Sequence, residues 1–206
     1  MYDPAAYNSL PALRDAASFV DDQVLATLCG PVRQLFLDHN AYKQYGIALL
    51  HKHFPIGEED RLVEIHHTSA PWKVGSERTD VVSHYKGTIE PRSFRCYQGM
   101  VTPYEFAYVK EALSPTGTFV NMALKLLESL HLDHIFGIRS LDNRDPNLSV
   151  EITEGKVNIM LEPDEIPEAE LIEALWVFGK DDNDRCHCRE HCWPVKDGHD
   201  KDHSCG

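Results

Sequence analysis

Apolar residues recur at helical spacing in three stretches of the chain. Val24, Leu25 and Leu28 lead into Gly30-Pro31, and Val32, Leu35 and Phe36 follow on one side of a second short helix that takes Pro31 in its first turn. Val120, Ala123, Leu124, Leu127 and Leu130 mark a longer helix, capped by Thr116 or Thr118. Pro167–Glu173 reads as a short helix with acidic residues in its first turn. Residues 1–20, with Pro4, Pro11 and small side chains, show little periodicity and read as a flexible N-terminal arm.

Alternation of period two marks the strands. Gly46–Phe54 and Arg61–His67 flank the turn-rich Pro55–Asp60, which predicts a hairpin. A helix over Tyr42–His53 is the competing reading of so short a window. Asp80–Tyr85 and Met100–Tyr108 alternate as strands, and Pro103 argues for an edge position in the second. The clearest hairpin is Leu148–Thr153, turn Glu154-Gly155, Lys156–Leu161. Its two faces separate cleanly. Leu148, Val150, Ile152, Val157, Ile159 and Leu161 form an apolar side, while Ser149, Glu151, Thr153, Lys156, Asn158 and Met160 lie on the other. Leu175–Phe178 reads as a buried strand.

Helices and hairpins alternate without a βαβ rhythm, so the expected class is α+β, a mostly antiparallel sheet with a few packed helices. The expected domain spans residues 21–180. From Asp181 the composition turns polar, and residues 181–206 read as a Cys/His-rich tail.

Composition narrows the function. The chain of 206 residues carries 20 Lys+Arg against 33 Asp+Glu, a formal charge of −13. Such a chain gains nothing from phosphate neutralisation, which excludes general nucleic-acid binding. No window approaches the roughly 20 apolar residues of a membrane span. The start, Met1-Tyr2-Asp3-Pro4, has neither a basic nor an apolar leader segment, so a cytoplasmic protein is expected. In that compartment a cluster of cysteines points to metal binding or redox chemistry ahead of a disulfide framework.

Candidate chemistry sits in two places. Pairing Phe54 with Arg61 in the first hairpin places His51, His53, Glu64 and His66 on one face, close enough to share an ion. Two His with a carboxylate suit zinc, iron, nickel or copper. A hydrated outer face explains the same residues without a metal. His84 is a further acid/base candidate from another strand. Gly46-x4-His51-x-His53-x4-Glu58 is similar to the first cupin motif, in which His-x-His and a Glu on a β-barrel hold a metal. The second cupin motif is missing, since Val120 stands where its His would follow Pro115-Thr-Gly117, and the cupin fold is not inferred.

The second place is the tail. Cys186, His187, Cys188, His191, Cys192, His199, His203 and Cys205 place a dense set of soft ligands in one short stretch. His199-x3-His203 has the spacing of a finger's second pair, but the loop before it is shorter than in standard fingers. The segments Leu49–Phe54 and Glu151–Ile159, with the Cys/His-rich end, resemble a group of uncharacterised fungal proteins over most of residues 30–205. That resemblance implies no activity.

Three functions follow from these readings. The first is a metal-binding protein, with zinc or another first-row transition metal held by Cys186, Cys188, His191, Cys192, His199, His203 and Cys205 for structure or interaction. The second is a metalloenzyme with His51, His53, Glu64 and His66 as ligands, acting on a small organic substrate. The third is a metal-free small-molecule-binding domain whose pocket is lined by Tyr104, Phe106 and Tyr108. Each is compatible with a homo-oligomer in which the tail completes a site on a neighbouring copy.

Overall fold

The structure, a computed structural model, describes residues 2–73, 87–110, 117–141, 149–162, 171–180 and 186–194. Its strands are β1 (Tyr45–Leu49), β2 (Asp60–Ile65), β3 (Thr68–Lys73), β4 (Thr88–Tyr97), β5 (Met100–Val109), β6 (Phe136–Ser140), β7 (Ser149–Glu154), β8 (Val157–Leu161), β9 (Ile172–Val177) and β10 (His187–Cys192). They form a closed barrel in the order β1-β6-β4-β5-β2-β3-β8-β7-β10-β9, and β9 pairs back onto β1. The expectation of an α+β fold is therefore corrected to a mainly β fold. Closure satisfies every strand edge with a neighbour, which an open sheet with packed helices does not do.

Most neighbours are antiparallel; β2–β5 and β7–β10 are parallel. The first predicted hairpin does not form. β1 pairs with β6 and β9, whereas β2 turns back into β3 through His66-His67. His66 takes a left-handed φ of 57° there, so a residue without glycine's freedom makes the turn. The hairpin of β4 and β5 closes through Gln98 and Gly99, both at positive φ, as a type I′ turn requires. Pro103 lies in β5 opposite Phe94, outside the Leu62–Glu64 segment that pairs on the other side. Its missing N–H thus falls where β2 does not pair. The segment Asp80–Tyr85 lies outside the described residues, as does most of Pro167–Glu173. Ile172 and Glu173, at the end of that expected helix, belong to β9.

The hairpin β7–β8 forms with its turn one residue further along, at Gly155-Lys156, so that Glu154 faces Val157. Gly155, at φ 60°, occupies the first turn position. The shift preserves both faces. Ser149, Glu151, Thr153 and Asn158 are buried; on the apolar face Val150 is buried, whereas Ile152, Ile159 and Leu161 are half-exposed. The polar face looks into the barrel.

Helices cover one side and one end. α3 (Asp22–Thr27) and α4 (Arg33–Asp38) are joined by a π-helical turn, Leu28–Val32, that accommodates Pro31. With α5 (Gly117–Ser129) they pack on the outer side of β1, β6 and β9, where Phe36, Leu127, Phe136, Ile138 and Trp176 form the main core. Asp21 caps α3 through Val24 N–H at 2.8 Å. The expected flexible arm instead forms α1 (Pro4–Asn8) and α2 (Leu13–Ala17), with Tyr7, Leu10 and Leu13 fully buried. Tyr7 and Leu10 join Leu50, Phe54, Ile56, Leu62 and Tyr104 in a second apolar cluster. Gly137 on β6 matters to this packing, because a Cβ there would stand 2.6 Å from the Phe94 carbonyl and 2.9 Å from Leu50.

Candidate metal centre

Contacts between strands that are not neighbours define the barrel interior. Glu64 on β2 accepts from Arg92 on β4 and, at 3.2 Å, from Arg139 on β6. Arg139 also donates to Glu190 on β10 at 3.0 Å. These four side chains make a buried chain of alternating charge in which each arginine has a carboxylate. Register shifts in β4–β5 around Ser93 bring Ser93 to Glu105, 2.7 Å away. Burial of such groups costs several kcal/mol per ion and is tolerated because the partners are in place.

Beyond Glu190 the interior holds a further carboxylate, Glu151, with a different set of neighbours. β7 and β10 run parallel with Ser149 opposite Glu190 and Glu151 opposite Cys192. The alternation of each strand therefore sends Glu151 and Cys192 inward side by side. The chain leaving β1 adds His51 and His53. Cys192 Sγ lies 3.5 Å from His51 Nε2 and 3.5 Å from Glu151 Oε2. His53 Nε2 lies 3.5 Å from the same Glu151 oxygen, and the two imidazoles meet edge to face at 4.6 Å. The donor atoms of His51, Glu151 and Cys192 all fall within 4.8 Å of one another, and all three residues are buried.

The surroundings fix how these side chains present themselves. His51 Nδ1 is 3.0 Å from the Leu49 carbonyl, so the ring proton resides there and the Nε2 lone pair points at Cys192. His53 Nδ1 faces Thr153 Oγ1 at 3.5 Å, and its backbone N–H donates to the Tyr7 hydroxyl at 3.1 Å. An imidazole anchored through Nδ1, with Nε2 turned toward the other donors, is oriented as metal-binding histidines are by their outer partners. Burial, reinforced by the charge of Glu190, pushes the Glu151 carboxyl well above the usual carboxylate range, with Arg139 opposing. Burial also pushes the Cys192 thiol well above the ordinary thiol range, with Glu151 and Glu190 adding to it. Both groups need a nearby positive charge to ionise.

His51 and His53 thus meet, but not as partners of Glu64, which serves Arg92 and Arg139. His66 is exposed in the β2–β3 turn and shares no face with them. Of the tail, Cys186 precedes β10, and Cys188, His191 and Cys192 lie on it. Cys192 alone of these reaches the histidines; Cys188 and His191 group with Glu173 instead. His84, His199, His203 and Cys205 lie outside the described residues. Of the aromatic strand, Tyr104 enters the second apolar cluster, while Phe106 meets Tyr2 edge-on at 5.1 Å between ring centres. The residue that sequence reasoning missed is Glu151. Its signal is the clean alternation of β7, which sets Glu151 on a polar face without saying that this face looks inward.

Two groups among the described residues, His51-Glu151-Cys192 and Glu173-Cys188-His191, are candidates for holding a metal ion. Comparison of the chain with protein-family models, curated proteins and solved structures finds no match.

Proposed function

We propose that this protein binds one transition-metal ion, zinc by its donor set, at His51, Glu151 and Cys192, and that the ion serves structure by fastening β10 into the barrel. The observation that carries this reading is the spacing of the donors. Zinc binds Cys sulfur at about 2.3 Å and His nitrogen or carboxylate oxygen at about 2.0–2.2 Å, so tetrahedral neighbours stand roughly 3.3–3.6 Å apart. The 3.5 Å separations of Cys192 Sγ from His51 Nε2 and from Glu151 Oε2 fit those edges, as does the 3.5 Å from His53 Nε2 to the same Glu151 oxygen, which is long for a hydrogen bond between imidazole and carboxylate.

Charge supports the same reading. Glu64 and Glu190 pair with Arg92 and Arg139, whereas Glu151 faces His53 at 3.5 Å and the thiol of Cys192. A divalent ion is neutralised by one carboxylate and one thiolate, so the interior gains no uncompensated charge. His53 stands beside Glu151 as the fourth ligand or as the carboxylate's outer partner. Every one of these residues is buried, the character of a structural site; catalytic sites keep an open position.

Metal analysis of the full chain, purified without chelator or histidine tag, tests this reading. About one zinc per chain is expected, lost in Cys192→Ser and His51→Ala and retained when His199, His203 and Cys205 are all replaced by alanine. Metal that follows those last three residues would instead place the site in the tail, and a full chain that takes up no zinc overturns the proposal.

A further inference from the structure

β10 carries metal-ligating side chains on both of its faces. In a regular strand Cys188 and His191 point to opposite sides, since they are three positions apart. The β9–β10 ladder is not regular: its register shifts between Cys188 and Glu190 and again between Glu190 and His191. Bulges of this kind re-aim side chains. Here they bring Cys188 Sγ to 3.9 Å from His191 Nδ1 and place His191 opposite Glu173 on β9. One ligand atom from each of Glu173, Cys188 and His191 falls within 4.8 Å of the others. Glu173 is exposed and the other two are half-buried, in contrast with the buried cluster behind them. Trp176 Nε1 donates to Glu173 Oε2 at 3.0 Å and holds the carboxylate in place.

We infer that Glu173, Cys188 and His191 form a second, solvent-accessible site for a divalent transition-metal ion, with at least one coordination position open to water or to a donor from another molecule. The ligand classes are those of zinc: one thiolate, one imidazole and one carboxylate. Binding displaces the thiol proton of Cys188, which otherwise donates to the Glu190 carbonyl at 2.9 Å, and the proton leaves to solvent. Three donors at a water-facing position hold an ion more weakly than a closed shell, so this site exchanges its metal where the interior one retains it. His191 and Cys192 are consecutive and serve the two sites from opposite faces of one strand.

Cobalt(II) is the probe, because thiolate ligation gives it a charge-transfer band. Titrating the metal-free full chain, we expect two equivalents, the second weaker by tenfold or more and also thiolate-ligated. Cys188→Ala and His191→Ala abolish the second equivalent and keep the first. Glu173→Gln, which keeps the acceptor for Trp176 on an exposed side chain, weakens the second equivalent and guards against a folding artefact. Cys192→Ser removes the tight equivalent and leaves the weak one. A chain that takes up one equivalent, lost in Cys192→Ser and unaffected by Cys188→Ala, overturns the second site and leaves the interior one standing. One equivalent lost in Cys188→Ala and unaffected by Cys192→Ser does the reverse. A second equivalent that disappears when His199, His203 and Cys205 are replaced also overturns the proposal.

Discussion

Cys192 Sγ and His51 Nε2 stand 3.5 Å apart although 141 residues separate them in sequence. The same sulfur is 3.5 Å from Glu151 Oε2, and a thiol has one proton to offer two acceptors. Without a cation, the thiol proton serves one of the two contacts, and the proton that burial favours on Glu151 is there to serve the other. An ion between the three atoms would replace both protons at once.

Removing a ligand should therefore cost the stability that the ion contributes. At free zinc near a thousand times the dissociation constant, binding to the folded chain alone is worth about 4 kcal/mol. Cys192→Ser and His51→Ala are predicted to unfold several degrees below the parent protein in zinc. Chelator should lower the parent's midpoint to theirs and leave the variants unmoved. Thermal unfolding with and without chelator reads this directly, and a parent midpoint indifferent to chelator would contradict it.

Acidity should act in opposite senses on the two forms. The folded protein raises the affinity of Glu151 and Cys192 for protons, chiefly through burial. In the metal-free chain the Glu151 contribution is fully present below the unfolded carboxylate value of about 4.3 and is lost as pH rises through the folded value. Urea midpoints of the metal-free protein should therefore fall as pH rises from about 5. Zinc must displace both protons, so its affinity should climb with pH by up to roughly a hundredfold per unit. Competition titrations at several pH values check the second sign, and denaturation after chelation checks the first.

Arg139 holds Glu64 and Glu190 at once. Arg139→Met leaves both carboxylates buried with less compensation, and a loss of about 3–5 kcal/mol is expected. Adding Glu190→Met should recover part of it, since the orphaned charge is then gone. Urea denaturation of the single and double variants gives the comparison; additive losses would show that the pair does not act as one unit.

Gly137→Ala is predicted to destabilise by about 1–3 kcal/mol through overpacking. The new methyl would press on the Phe94 carbonyl at 2.6 Å, which belongs to the paired strand and cannot yield as a flexible side-chain end would. Equilibrium unfolding is again the readout, and a neutral substitution would mean that β4 and β6 separate more easily than their ladder suggests.

The parts of this fold legible in sequence are those with local causes. Leu28, Val32 and Phe36 follow helical spacing, Pro31 marks the junction, and α3 and α4 lie there. The β7–β8 hairpin announces itself through Gly155 and two clean faces. Long-range pairing does not. Gly46–Leu49 and Arg61–Ile65 flank turn-forming residues and look like partners, yet β1 is claimed by β6 and β9, both far along the chain. The turn that β2 does use, His66-His67, lacks the glycine that would advertise it. Alternation separates the faces of β7 but does not say that the barrel closes around the polar one. For that reason His51, His53 and Cys192 are recognisable as ligands by residue type, while Glu151 hides among residues that look solvated. The expected register of the first hairpin sets Glu64 opposite His51, and the structure gives it to Arg92 and Arg139 instead.

Among the described residues β10 is the last of ten strands in chain order, and it inserts between β7 and β9. Translation delivers it after every other stave has been made. Until then β7 and β9 are open edges, and the interior carboxylates face a gap that only residues 187–192 can fill. A nascent chain still holding those residues in the ribosomal tunnel has His51 and Glu151 but neither sulfur nor closure. The barrel is thus assembled after synthesis of its final strand, and a stalled or truncated product would expose two adhesive edges to its neighbours. Loss of residues 187–192 would remove both the closing strand and Cys192, the side chain that reaches His51.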